Sequence, residues 1–158
     1  MNSDLIELLH CLNEFKVKYL IIGGHAVIHY SEPRYTKDLD IWVAASATNA
    51  KRLIAALNKF GAPLDNLSVE DFIRPGTLFV FGLPPNRVDI LNRIKGSTFA
   101  NAYKRKSIVL IAKGLKVAMI GLKELLAVKQ ATARPQDLID AEKLKVALKK
   151  TVKKRIKK

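Results

Sequence analysis

Cysteine is nearly absent from this 158-residue chain: Cys11 stands alone, which excludes an internal disulfide and suits a reducing cytoplasm. On the first helix it is expected to pack as a small apolar side chain. No apolar run approaches the roughly 20 residues that a membrane span needs, and Asp4 and Glu7 interrupt any signal-peptide pattern. The sequence therefore reads as a soluble, cytoplasmic protein with no membrane partner. Aromatic residues make up only 7% of the chain and do not cluster among the basic ones, so base stacking along a single strand has little support. Internal repeats and long flexible linkers are missing too. With 49% hydrophobic residues the chain can bury one substantial core but not a second large domain. Residues 1–158 are expected to form a single domain, with a mixed-sheet core over 1–119 and carboxyl-terminal helices over 120–158.

Acid is scarce as well. Lys and Arg number 28 against 14 Asp and Glu, a formal net charge of +14, which attracts polyanions with an affinity that falls steeply as salt rises. Much of the excess sits in the last residues: Lys143, Lys145, Lys149, Lys150, Lys153, Lys154, Arg155, Lys157 and Lys158. Leu144, Leu148, Val152 and Ile156 recur at every fourth position, so this run reads as a helix docked by one stripe with a basic outer face. RNA, such as a transfer RNA end, is the expected partner of that face. The plainer reading is that basic residues keep the protein soluble, although charges of mixed sign serve that purpose equally.

What is present between Tyr19 and Val43 carries the most information. Tyr19, Leu20, Ile21 and Ile22 close on Gly23 and Gly24; a helix-compatible segment follows, then Arg34, Thr36, Lys37, Asp38, Leu39, Asp40, Ile41, Trp42 and Val43. Side chains alternate on a strand, so Asp38 and Asp40 share one face while Leu39, Ile41 and Val43 line the other. Two carboxylates held that close repel and one pKa rises, unless a divalent cation joins them. Magnesium takes one or two carboxylates together with substrate phosphates and water. The glycine pair lets backbone approach a phosphate and opens a helix whose amino terminus favours negative charge. Two acids alone read more readily as a surface strand carrying solvated carboxylates after an ordinary glycine turn.

Taken together, Gly23, Gly24, Arg34, Thr36, Asp38 and Asp40 resemble the signature of the nucleotidyltransferase superfamily, the DNA polymerase beta-like fold. The form is most similar to its AbiEii and MenT branch, which includes toxins of bacterial toxin-antitoxin systems. Gly24 stands where many members carry serine. The resemblance implies a third acid on a neighbouring strand, and Asp89 in Arg87, Val88, Asp89, Ile90, Leu91 meets that expectation, its plain alternative being an acid paired with Arg87 or Arg93. It further implies that Asp38, Asp40 and Asp89 are catalytic and hold Mg2+ or Mn2+, and that Asp89 sits beside the attacking hydroxyl and takes its proton. Gly23, Gly24, Arg34, Thr36 and Lys37 would contact the nucleotide. Near the carboxyl end, Lys129 followed by Arg134, Asp137 and Asp140 is similar to the branch's later motif, which implies Lys129, at the edge of a stripe made by Leu122, Leu125, Leu126 and Val128, as a phosphate ligand and Asp137, one turn from Asp140 on the next helix, as a further nucleotide-binding residue. The plain alternatives are a solvated lysine and helix-terminal acids.

The coarse element reading agrees. Ser3 is expected to cap a first helix with a Leu5, Leu8, Leu9, Leu12 stripe. A strand over Tyr19–Ile22 precedes a helix over Gly24–Tyr30 and the acid strand over Asp38–Val43. A helix over Ala47–Phe60 stops at Gly61, and Ser68–Ile73 makes one helical turn. Strands are expected over Thr77–Phe81, Arg87–Leu91, Ser107–Ile111 and Leu115–Met119, then two helices. The fold class is α/β (α+β), a nucleotidyltransferase-like mixed sheet flanked by helices with a helical carboxyl-terminal part. The activity implied is transfer of a nucleoside monophosphate from a triphosphate such as ATP to a hydroxyl acceptor, RNA foremost, with an antitoxin protein as a second partner. Two other classes stay open: a catalytically silent nucleic-acid-binding module, and a small-molecule transferase of the antibiotic-modifying type, whose acceptor pocket should be acidic.

Overall fold

The computed structural model describes residues 1–156. Lys157 and Lys158, counted above in the basic run, and the Arg155 side chain lie outside the described residues. In chain order the elements are α1 (Ser3–Glu14), β1 (Tyr19–Ile21), α2 (Gly23–Tyr30), β2 (Asp38–Val43), α3 (Ala47–Phe60), α4 (Val69–Ile73), β3 (Leu78–Phe81), β4 (Arg87–Leu91), α5 (Phe99–Lys104), β5 (Ser107–Ala112), β6 (Leu115–Met119), α6 (Leu122–Thr132) and α7 (Pro135–Ile156). The strands form one mixed sheet in the order β3-β4-β2-β1-β6-β5. Neighbours β2 and β4 run parallel, as do β1 and β6, while β1 with β2, β3 with β4 and β5 with β6 are antiparallel.

The stripe logic holds for α1, whose Leu5, Leu8, Leu9, Cys11 and Leu12 are buried, and this helix packs against α3. Its cap is Asn2, whose side chain accepts from the Leu5 N–H; Ser3 is already the first helical residue and its hydroxyl turns to Asp4. Gly61 ends α3 in the left-handed conformation at φ 86°, which a Cβ would strain. On β2 the alternation is as expected at Leu39 and Ile41, both fully buried. Trp42, on the acid face, is buried as well, because Phe99 of α5 meets its ring edge-on at 5.4 Å. That short helix lies outside the elements the sequence pattern predicts, although Thr98 caps it. The buried apolar side chains form one connected cluster that extends from Leu5 to Leu144.

Helix α7 departs from expectation in its second half. Leu144 is fully buried, but Val152 is 45% and Ile156 79% exposed. The four-residue repeat drifts around a helix of 3.6 residues per turn, and the helix simply outruns the body it packs on. Only its first half is docked. No helix among the described residues is long and apolar enough to cross a membrane.

Candidate active site: an acid cleft beside a glycine-led helix

Parallel pairing of β2 with β4 sets Asp40 directly opposite Asp89 and Asp38 opposite Arg87. Three carboxylates from adjacent strands therefore face one cleft of about 1080 Å3. Burial, then the nearby charges of Asp89 and Asp38, push the Asp40 carboxyl up to about 6; Lys129 and a hydrogen bond from the Gly24 amide pull the other way.

The glycine pair is shaped to this acid. Gly23 has φ +62°, and a Cβ there would lie 1.9 Å from Asp40 Oδ2. At Gly24 a Cβ would meet Thr36 Oγ1 at 2.4 Å and Arg34 Nη2 at 3.3 Å. A serine at Gly24 has no room because the Thr36 hydroxyl fills that place. Arg34 and Thr36 thus come to the cleft through the glycine that admits them.

Arg87 spans the acids. Its Nε donates to Asp89 Oδ1 at 2.8 Å and its Nη2 to Asp89 Oδ2 at 3.0 Å, with Asp38 Oδ1 4.0 Å from Nε. Pairing of Asp89 with Arg87 is thus present, and it puts a side-chain cation where the acids converge. The carboxyl-terminal motif adds a second, deeper network. Lys129 is buried, with Nζ 2.7 Å from Asp137 Oδ1 and 3.0 Å from Asp140 Oδ2. Asp140 also receives Arg34 Nη2 at 3.1 Å and Gln136 Nε2 at 3.0 Å. Burial alone would raise Asp137, but hydrogen bonds from Lys129, Arg134 and Thr132 outweigh it and hold the carboxyl down at about 2. Lys129 is accordingly an ion-paired side chain inside the wall rather than a solvated lysine at a stripe's edge.

Gly23, Gly24, Arg34, Thr36, Asp38, Asp40, Asp89, Lys129 and Asp137 all line the cleft. Lys37 does not: it is exposed and alternation turns it away from its neighbours Thr36 and Asp38. Arg87, Arg93, Lys95 and Arg134 also line it. Arg93 continues the spacing of Asp89 and Leu91 by two, a signal the strand boundary at Leu91 obscured. No family model matches the chain, and no curated protein matches it.

Whether these residues suit a divalent cation rests on their own chemistry. Among the described residues no group of three or more His, Cys, Asp or Glu is assembled to hold a metal. The donors that converge are carboxylate oxygens with a raised Asp40, next to an Arg34 Nε that is buried without a hydrogen-bond partner. Hard oxygen donors too few for a cage fit a cation that arrives with phosphates.

Proposed function

We propose that this cleft binds a nucleoside triphosphate with Mg2+ or Mn2+ and transfers the nucleoside monophosphate to a hydroxyl acceptor, RNA foremost, releasing pyrophosphate. The register that sets Asp40 against Asp89, with Asp38 two residues away, carries the reading. Such a cluster costs stability on its own and gains from a cation, which is why it argues for a ligand site over a solvated strand. Asp38, Asp40 and Asp89 would hold the metal; when bound, it neutralises phosphate charge and polarises phosphoryl oxygens.

The side chains do the rest by position and charge. Arg34 lines the cleft beside the glycine pair, and Arg93, Lys95 and Arg134 give the rim a basic cast that favours an anionic acceptor over a cationic small molecule. The acceptor oxygen forms a bond to the α-phosphorus, the bridge to the β-phosphate breaks, and pyrophosphate leaves with the electron pair. Asp89 stands to take the hydroxyl proton once Arg87 releases it.

The same Arg87 pairing supports a second reading, a silent nucleic-acid-binding module whose acids are structural. Thermal unfolding separates the two. A nucleoside triphosphate should raise the Tm much more with magnesium than with chelator, whereas equal shifts favour the silent module.

A further inference from the structure

A second cavity of about 420 Å3 opens away from the acid cleft, around the start of β1 and the middle of β6. The cleft begins at Ile22, roughly 10 Å further along the strand from Tyr19 at ~3.3 Å per residue. Five cations line this second cavity, Lys16, Lys18, Arg52, Lys106 and Lys116, and no acid does. No carboxylate lies within ion-pairing distance of any of the five among the described residues.

Two of these side chains are held in place by uncharged partners. Arg52 Nη1 donates to the Lys16 carbonyl at 3.3 Å. Lys106 Nζ donates to the Tyr103 carbonyl at 3.2 Å and lies 3.9 Å above the Tyr103 ring. The Lys116 backbone is fixed by Asn13, whose amide donates to its carbonyl at 2.7 Å. Like charges gathered from helix α3, strand β6, the α1–β1 connection and the α5–β5 connection repel one another, and a bound anion relieves them.

We infer that this cavity grips the phosphodiester backbone of a nucleic acid. Five cations exceed what one phosphate can neutralise, and they are spread along an open wall whose rim is edge strand β5 at Ile108, so a chain of phosphates can pass through. Tyr103 is stacked on Phe99 at 5.2 Å and covered by Lys106. No free ring is left for a base, and binding is therefore indifferent to sequence. The inference does not rest on the chemistry of the cleft, since backbone binding needs neither metal nor triphosphate.

Fluorescence anisotropy of a labelled single-stranded RNA in chelator, over a range of salt, tests it. The triple variant Lys18→Gln, Arg52→Gln, Lys116→Gln should lower the slope of log affinity against log salt by about 2, at ~0.7 per lost contact. A control with the same charge loss on exposed lysines elsewhere, Lys51→Gln, Lys113→Gln, Lys123→Gln, should leave the slope unchanged. Equal slopes in the two variants would overturn the inference. If the triple variant fails to fold, Lys116→Glu alone, on the exposed face of β6, should still reduce affinity several-fold, and unchanged affinity there refutes the site.

Discussion

Replacing Asp40 by asparagine should make the ligand-free protein more stable, although it removes a residue assigned to the reaction. Asp40 has its carboxyl pushed from 3.8 up to about 6, first by burial and then by Asp89 and Asp38. An acid whose folded value is raised binds its proton more tightly in the native state, so the native state loses stability as pH rises from about 4 through about 6. At ~1.4 kcal/mol for each pH unit between the two values, ionised Asp40 costs the fold about 3 kcal/mol at pH 7.5. Asparagine keeps an oxygen for the Gly24 amide and carries no charge, so Asp40→Asn should gain about 1 to 3 kcal/mol. Urea unfolding in chelator measures this directly. The gap should shrink to about a third of its size at pH 4.5 and vanish near pH 3, where wild-type Asp40 is protonated in both states. A variant less stable than wild type at pH 7.5, or a gap that ignores pH, would refute the electrostatic reading of the cleft.

Gly23→Ala forces a left-handed alanine and a Cβ against Asp40 Oδ2; it should cost about 1 to 3 kcal/mol and abolish the magnesium-dependent part of the triphosphate melting shift. Lys129→Met leaves Asp137 and Asp140 with Arg34, Arg134, Gln136 and Thr132 but without their shared ammonium, and urea unfolding should register a loss near the lower end of the ~3 to 5 kcal/mol expected for a broken buried pair; a loss below about 1 kcal/mol would show that the network is not cohesive. Asp137, held at about 2, has the opposite pH sign to Asp40: its contribution is present above about pH 4 and lost as pH falls toward 2, and Asp137→Asn should flatten that part of the acid-unfolding curve. Neutralising Lys149, Lys150, Lys153 and Lys154 to Gln, on the undocked half of α7, should weaken RNA binding and flatten its salt dependence by about 0.7 to 0.9 for each lost contact without moving the Tm.

Local pattern carried the acid cleft because both of its determinants are short-range. Alternation put Asp38 and Asp40 on one face, and the same rule applied to Arg87–Leu91 put Asp89 on the polar face of β4. What alternation cannot state is which strands are neighbours; the parallel register of Asp40 with Asp89 is a tertiary fact. Lys129 shows the same limit. A lysine among apolar residues reads as a solvated or ligand-binding head, and only the packing of α7 on α6 reveals two acids waiting for its ammonium. The exclusion of Lys37 was legible, since it is one residue out of phase with Thr36 and Asp38. The docked length of helix α7 is not legible in its four-residue repeat, which describes a stripe, whereas docking depends on where the rest of the molecule ends. The basic cavity is not legible in the sequence for a further reason: its cations come from four separate segments, of which only the α1–β1 connection supplies two, Lys16 and Lys18.

Incubating the protein with each α-labelled nucleoside triphosphate in turn, magnesium or manganese, and total RNA tests nucleotidyl transfer most directly. Wild type should move label to RNA and release pyrophosphate, whereas Asp40→Asn and Asp89→Asn, folded by the urea criterion, should move none. RNA left unlabelled by wild type with all four triphosphates, or labelled equally by Asp40→Asn, would contradict the assignment.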